Sequence, residues 1–269
     1  MGDRTRRIGD GRARSRSRLA AATWRPPASG LLHGELEVDV TEAEAWWRAR
    51  PGLTETHVVG CALGLALAAC PDANARVVLG RVRPRDGVDV SFAVADRGGR
   101  HLRAVCVRGV DGKPPRVLAR ELYAGARAIR EGRDPQLGRA VAVADRLPWL
   151  LLRPGLSLVG FVTGGLGLGL RPLGVAAHPF GSALVTSVGM LGIERGLAPL
   201  LPFARLGLVL VVGSVAWQPR VVAGEVVPRR VLPLGATIDH RLVDGAQIAV
   251  LVAELRDAIE RPWDRWPDA

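Results

Sequence analysis

Lysine is almost absent from this sequence. Lys113 is the only one, so the 37 basic residues and the formal charge of +11 rest on arginine. That imbalance reads as compositional bias rather than as a surface built for nucleic acid, and no nucleic-acid partner is expected. Cysteine is scarce too. Cys61, Cys70 and Cys106 lie in apolar surroundings without a Cys-x-x-Cys pair, which excludes a disulfide scaffold and implies reduced thiols. No apolar signal core follows the first residues, so export is not implied and a cytoplasmic location is expected. No metal site is expected either. What remains is a globular composition: 269 residues, 48% of them apolar, can fill a substantial core.

Residues 1–18 hold seven arginines, Arg4, Arg6, Arg7, Arg12, Arg14, Arg16 and Arg18, against Asp3 and Asp10. Interleaved Gly and Ser, with few large apolar groups, predict a disordered basic tail over residues 1–25. Residues 26–269 then make one domain. Within it, the alternation over Leu31–Val40 predicts a half-exposed strand, with His33 on its polar side at the surface. A helix follows over Thr41–Arg50, with Thr41 and Glu44 spaced as a capping box. Thr56–Cys70 is apolar nearly all round, which predicts a helix buried against a sheet. Strands are expected at Val77–Val82, Val88–Ala95 and Leu102–Val107. Next, Arg116–Glu131 places Leu118, Leu122, Ala126 and Ile129 on one helical face. Arg205–Trp217 reads as an apolar strand, and Val221–Val227 as a hairpin turning at Ala-Gly.

Chemistry concentrates at Ile238-Asp239-His240-Arg241-Leu242-Val243-Asp244-Gly245. Upstream, Val231–Ile238 is partly alternating, as a half-buried strand should be. Downstream, Ile248, Leu251, Leu255 and Ile259 recur at helical spacing. His240 therefore falls on the corner between strand and helix, and Asp244 with Gly245 makes a natural helix N-terminus. Alone, a histidine beside an aspartate is as well explained by a capped helix and a solvated imidazole.

The motif does not stand alone. Asp-His-Arg, two apolar positions and Asp-Gly, set between strand and helix, resembles the signature of the catalytic domain of the 2-oxoacid dehydrogenase dihydrolipoamide acyltransferases. Chloramphenicol acetyltransferase shares the His-x-x-x-Asp-Gly core. Phe180-Gly-Ser-Ala-Leu-Val-Thr-Ser-Val-Gly-Met-Leu-Gly-Ile193 resembles that family's Gly-Gly-Thr-Phe-Thr-Ile-Ser-Asn-Leu-Gly-Met-Phe-Gly. Aligning the glycines puts Thr186 in place of the hydroxyl residue that stabilises the oxyanion and Ser187 in place of the asparagine after it. Glu-Leu-Glu-Val-Asp-Val-Thr (35–41) resembles the first core strand, and Cys-Pro-Asp-Ala-Asn-Ala-Arg (70–76) the turn after the buried helix. The chain departs from the family at 99–105, where Arg100, His101 and Arg103 replace an apolar strand; they read either as a change in the acyl donor accepted or as solvated edge charges.

A second departure is an apolar, Gly-rich insertion at about 137–180. Between Arg153 and Arg171 lie seventeen uncharged residues, six of them glycine. A membrane span needs ~20 predominantly apolar residues and each glycine weakens a helix by ~1 kcal/mol, so the stretch is expected to cover the domain. Contact of 147–176 with a membrane or another subunit is the alternative.

The resemblance implies an α/β fold: a two-layer mixed β-sheet with helices, chloramphenicol acetyltransferase-like. It also implies a homotrimer, with a larger cage left open, in which histidine and hydroxyl face each other across a subunit boundary. Coenzyme A would be the acyl carrier. No Asp-Lys-Ala-type lysine is present for attached lipoate, so a separate lipoyl carrier protein or a small thiol is the expected acceptor and the catalytic domain is expected to be free-standing. A free thiol, with a pKa of ~8.5, needs a base, and His240 is the residue suited to it. Thr186 or Ser187 would stabilise the oxyanion. Asp244 is expected to hold the His240 loop through a charged bond to an arginine such as Arg18 or Arg25. A catalytically silent trimeric or cage-forming scaffold is the other reading, against which the intact His240 and Asp244 argue.

Overall fold

The computed structural model describes residues 30–95, 102–133 and 148–267, together with Arg139 and Val143. The N-terminal basic tail, Arg100 and His101 lie outside the described residues, as does most of 134–147 in the insertion. Leu31–Ala269 forms one compact unit.

Its chain order is β1 (Leu31–Asp39), α1 (Ala43–Arg48), α2 (Glu55–Ala69), β2 (Ala75–Val78), β3 (Arg81–Pro84), β4 (Val90–Ala95) and β5 (Leu102–Val107). There follow α3 (Pro115–Arg130), α4 (Trp149–Gly160), β6 (Ala183–Ser187), β7 (Leu208–Val212), β8 (Ala216–Val222), β9 (Glu225–Asp239), α5 (Gly245–Glu260) and α6 (Pro262–Arg265). The main sheet runs β1-β9-β7-β6-β4-β5, with β8 on the first part of β9. Only β7-β6 and β6-β4 are parallel, so the sheet is mixed as expected.

Helices cover one face of this sheet. The buried residues of α2, among them Val58, Val59, Leu63 and Leu67, meet Phe92 and Val105 from the strands and Leu251, Leu255 and Ile259 from α5. Each apolar side chain buried in that layer contributes roughly 1.5–3 kcal/mol. A smaller cluster of Phe180, Ala204, Leu206 and Val209 lies on the other face. Close backbone approach needs glycine here: a Cβ on Gly235 would sit 2.0 Å from the Gly196 carbonyl oxygen, so residues 194–197 lie directly on β9.

Several local expectations yield to tertiary contacts. Thr41 and Glu44 do not form a capping box. The Thr41 hydroxyl donates to Asp39 at 2.5 Å and accepts the Arg230 N–H at 2.9 Å, while Glu44 takes a bidentate bond from Arg230 at 2.6 and 2.8 Å. A partly buried guanidinium outcompetes one backbone N–H for the carboxylate and holds Glu44 below the usual carboxylate range. The box found instead opens α2, where the Thr54 N–H donates to His57 Nδ1 at 3.1 Å. Val77–Val82 is a hairpin rather than a strand, turning at Leu79 and Gly80 with φ of 50° and 74°. Leucine gives no turn signal, which hid it. Arg205–Trp217 is broken in two, because a Cβ on Gly213 would lie 1.9 Å from the Glu194 carbonyl oxygen and β7 ends before that crossing. The Ala-Gly hairpin between β8 and β9 is as expected, with φ of 51° at Ala223 and 89° at Gly224.

The described part of the insertion packs on the domain. Gly160 lies against the Phe203 backbone, and a π-turn over Phe161–Gly165 buries Thr163. Leu150, Leu151 and Leu158 stay exposed on α4. Among the described residues no helix is long and apolar enough to cross a membrane.

Candidate active site

Strand β9 delivers His240 to its corner because Asp239 is the last residue in register, paired with Leu31 of β1 and donating its N–H to Gly207 O at 2.9 Å. After it the chain turns, burying Leu242 and Val243 in the main core and leaving His240 exposed. His240 Nδ1 lies 2.6 Å from the Val243 carbonyl oxygen. A carbonyl only accepts, so Nδ1 carries a hydrogen, and in the neutral ring the lone pair is on Nε2. That is the tautomer a base attacking from outside the corner requires.

Asp244 caps α5: its Oδ1 accepts from the Ala246 N–H, while Gln247 Oε1 accepts from the Asp244 N–H, both at 2.9 Å. The expected bond to an arginine is not made among the described residues; Arg18 and Arg25 lie outside them. The arginine pair belongs to Asp239 instead, whose two oxygens accept Arg241 Nε at 2.9 Å and Nη2 at 2.6 Å. That fork locks the residues on either side of His240 and holds Arg241 still more firmly protonated than free arginine. Sequence reading passed over both Asp239 with Arg241 and Gln247, although Asp-x-x-Gln at 244–247 is itself a capping-box pattern. His33 is exposed as expected, but its Nδ1 lies 3.1 Å from Thr237 Oγ1 on β9.

Thr186 and Ser187 end β6 and point to opposite faces. Ala183 and Val185 belong to the helix-side core, so Ser187 shares that side; Leu184 packs with the other cluster, so Thr186 shares that one. Register fixes how far they stand from the histidine. Thr186 pairs with Val211 and Val211 with Gly235, two strands across and five residues before His240. At ~3.4 Å per residue and ~4.8 Å per strand, this is roughly 17 Å along and 10 Å across, beyond side-chain reach. One chain does not bring the two halves together.

Among the described residues no grouping of His, Cys, Asp and Glu could hold a metal ion. Cys61 and Cys70 are buried, and burial pushes the Cys61 thiol far above its ordinary pKa.

A mixed sheet backed by helices on one face, with a histidine at the strand-to-helix corner, places the chain in the chloramphenicol acetyltransferase-like class. It superposes on a chloramphenicol acetyltransferase with a TM-score of 0.52 at 14% identity, covering 86% of this chain and 89% of that one. Within the class, the likeness is greater to the acyltransferase cores of 2-oxoacid dehydrogenase complexes. The cubic core of a pyruvate dehydrogenase multienzyme complex gives a TM-score of 0.65 at 20% identity, covering 98% and 97% of the two chains. The dihydrolipoamide acetyltransferase of Azotobacter vinelandii gives 0.64 at 20% identity, covering 94% and 89%. Residues 180–265 match the family described as 2-oxoacid dehydrogenases acyltransferase (catalytic domain). A mitochondrial dihydrolipoyllysine-residue succinyltransferase of Arabidopsis thaliana is 37% identical over 54 residues, which are 20% of this chain and 12% of that protein. The acetyltransferase component of the pyruvate dehydrogenase complex of Acholeplasma laidlawii is 29% identical over 92 residues, 34% of this chain and 16% of that protein. The aligned stretches thus span less than a fifth of the curated relatives. This chain carries the fold of the 2-oxoacid dehydrogenase acyltransferase catalytic domain, and its C-terminal third carries the sequence pattern of that domain.

Proposed function

We propose that the chain is an acyltransferase moving an acyl group between coenzyme A and a thiol acceptor, of lipoyl or other type, with His240 as general base. The observation that carries this is the 2.6 Å contact of His240 Nδ1 to Val243 O on a corner braced by Asp239–Arg241 and the Asp244 cap, which leaves Nε2 exposed. Further support comes from the Azotobacter enzyme, whose catalytic mechanism was investigated through a serine, a histidine and an asparagine, the last two four positions apart. Asp244 stands four positions after His240.

In this reading His240 Nε2 accepts the proton of the attacking thiol, and the thiolate adds to the thioester carbonyl. Negative charge collects on the carbonyl oxygen, where the Thr186 hydroxyl of a neighbouring subunit donates a hydrogen bond, an interaction that in related sites is worth ~3 kcal/mol. The tetrahedral adduct then expels the second thiolate, and His240 returns the proton to it. One carbon–sulfur bond forms and one breaks. Because the two groups stand far apart within one chain, the hydroxyl has to come from a second copy. The resemblance to the acyltransferase cores makes that unit a homotrimer, and a cage built from trimers is compatible with it.

Acyl exchange between acetyl-coenzyme A and dihydrolipoamide tests the reading. His240→Ala should lower kcat/KM by at least ~10³-fold, removing base catalysis and the positioned imidazole, with the assembly unchanged by sedimentation. A comparable kcat/KM would end it.

A further inference from the structure

The β2–β3 hairpin presents an unusual face. Arg76 pairs directly with Arg83, and Val78 with Arg81, so these four side chains project to the same side. With Leu79, Gly165 and Leu166 they line a cleft of about 480 Å³ between the hairpin and the insertion's π-turn. That is within the volume range of small-molecule sites. Like charges directly opposite on paired strands repel. Among the described residues no carboxylate lines the cleft or forms an ion pair with Arg76, Arg81 or Arg83.

The insertion supplies one wall through Gly165 and Leu166, and a second rank of cations lies behind the lining. Arg76 Nε donates to Gly165 O at 3.0 Å, Arg205 Nη1 to Val77 O at 3.2 Å and Arg85 Nη2 to Arg205 O at 3.0 Å. All three acceptors are neutral carbonyls, which orient the guanidinium groups without cancelling their charge. Two buried nitrogens, Arg85 Nε and His178 Nδ1, have no hydrogen-bond partner among the described residues. Burial first, and then the neighbouring Arg76, push Arg85 down to about 10. His178 is lowered by burial and then by Arg76 and Arg85. Asp89 is the nearby carboxylate, and it is held by Arg108 at 2.6 Å and by the Gly109 N–H. An anion in the cleft would relieve the repulsion.

We propose that the cleft between the β2–β3 hairpin and the insertion is a binding site for a small molecule carrying two or more linked phosphates. Forked guanidinium groups suit phosphate oxygens bidentately, several arginines suit more than one phosphate, and Val78, Leu79 and Leu166 offer an apolar wall to the rest of the ligand. The site uses none of the residues assigned to acyl transfer.

Inorganic pyrophosphate is the probe, titrated calorimetrically into the full-length protein at fixed ionic strength. Pyrophosphate should bind at least ~10-fold more tightly than inorganic phosphate, and Arg81→Gln with Arg83→Gln should weaken it at least ~10-fold. Both positions are exposed, and removing one of two opposed charges does not endanger folding. Arg116→Gln with Arg120→Gln on α3 lowers the net charge equally and should leave binding unchanged. Equal losses in the two double variants would reduce the effect to overall charge and overturn the proposal. So would pyrophosphate binding no tighter than phosphate, or a single-stranded RNA that binds at the hairpin and is not displaced by pyrophosphate. Melting gives a second readout: pyrophosphate should raise the Tm of the wild type and not that of the Arg81/Arg83 variant.

Discussion

His240 shows how little one residue type says before its bonds are known. What makes it a base in this reading is a backbone carbonyl three residues on, which fixes the tautomer. Asp244 illustrates the converse, since its carboxylate is spent on its own helix. Asp244→Asn keeps an acceptor at the cap and should leave Tm nearly unchanged, whereas Asp244→Ala should cost about 1 kcal/mol; a large loss in the Asn variant, measured by denaturant unfolding, would show that the charge itself is needed. His57 carries the clearest pH signal. Burial holds its pKa down at about 4, against 6.5 when unfolded. Between these values the unfolded chain binds a proton that the folded one does not. Stability from this group is therefore complete above pH 6.5 and lost as pH falls toward 4, by on the order of 3 kcal/mol. Unfolding titrations at several pH values should show His57→Gln to be flatter through that window; an identical slope would mean His57 titrates normally in the folded state.

At the scale of elements, period-2 geometry on β6 separates Thr186 from Ser187. Thr186→Ser keeps the donor and should retain most of the exchange rate, while Thr186→Ala should lose on the order of 10²-fold in kcat. Ser187→Ala, on the helix side, should lose less than about threefold. A larger loss for Ser187→Ala than for Thr186→Ala would exchange their roles. Elements were legible where the pattern was long: β1, α2, α3 and α5 lie within a residue or two of expectation, and β9 ends one residue past it but starts six residues earlier, at Glu225. Among the short ones β4 and β5 also match, and the others failed for particular reasons. Leu79 takes a positive φ with Gly80 as the one turn residue beside it, and Gly213 ends an apolar run only because Glu194 crosses it. Thr41 and Glu44 fit a local capping rule until Arg230, far along the chain, claims the carboxylate.

The whole molecule decides whether there is a site at all. Register puts Thr186 and His240 toward opposite ends of the sheet, so in the trimer reading each needs a partner from a neighbouring subunit. Mixing His240→Ala protein with a Thr186→Ala, Ser187→Ala double variant should restore activity that neither has alone. Under random assembly one boundary in four is intact, giving about a quarter of the wild-type rate if boundaries act independently. No recovery after verified subunit exchange would exclude the shared site.

By itself the sequence determined what is local or periodic: the strand-corner-helix that carries His240, the Asp-Gly helix start, the buried α2 and the likeness around Thr186 and His240. These follow from neighbours within a few residues, where backbone geometry leaves few alternatives. Tertiary structure alone decided which carboxylate meets which arginine, where β7 stops, how the insertion lies on the domain, and how far the hydroxyl stands from the base. Each of these depends on contacts between residues distant in the chain, and the sheet register that sets those distances is a property of strands pairing, not of any one of them.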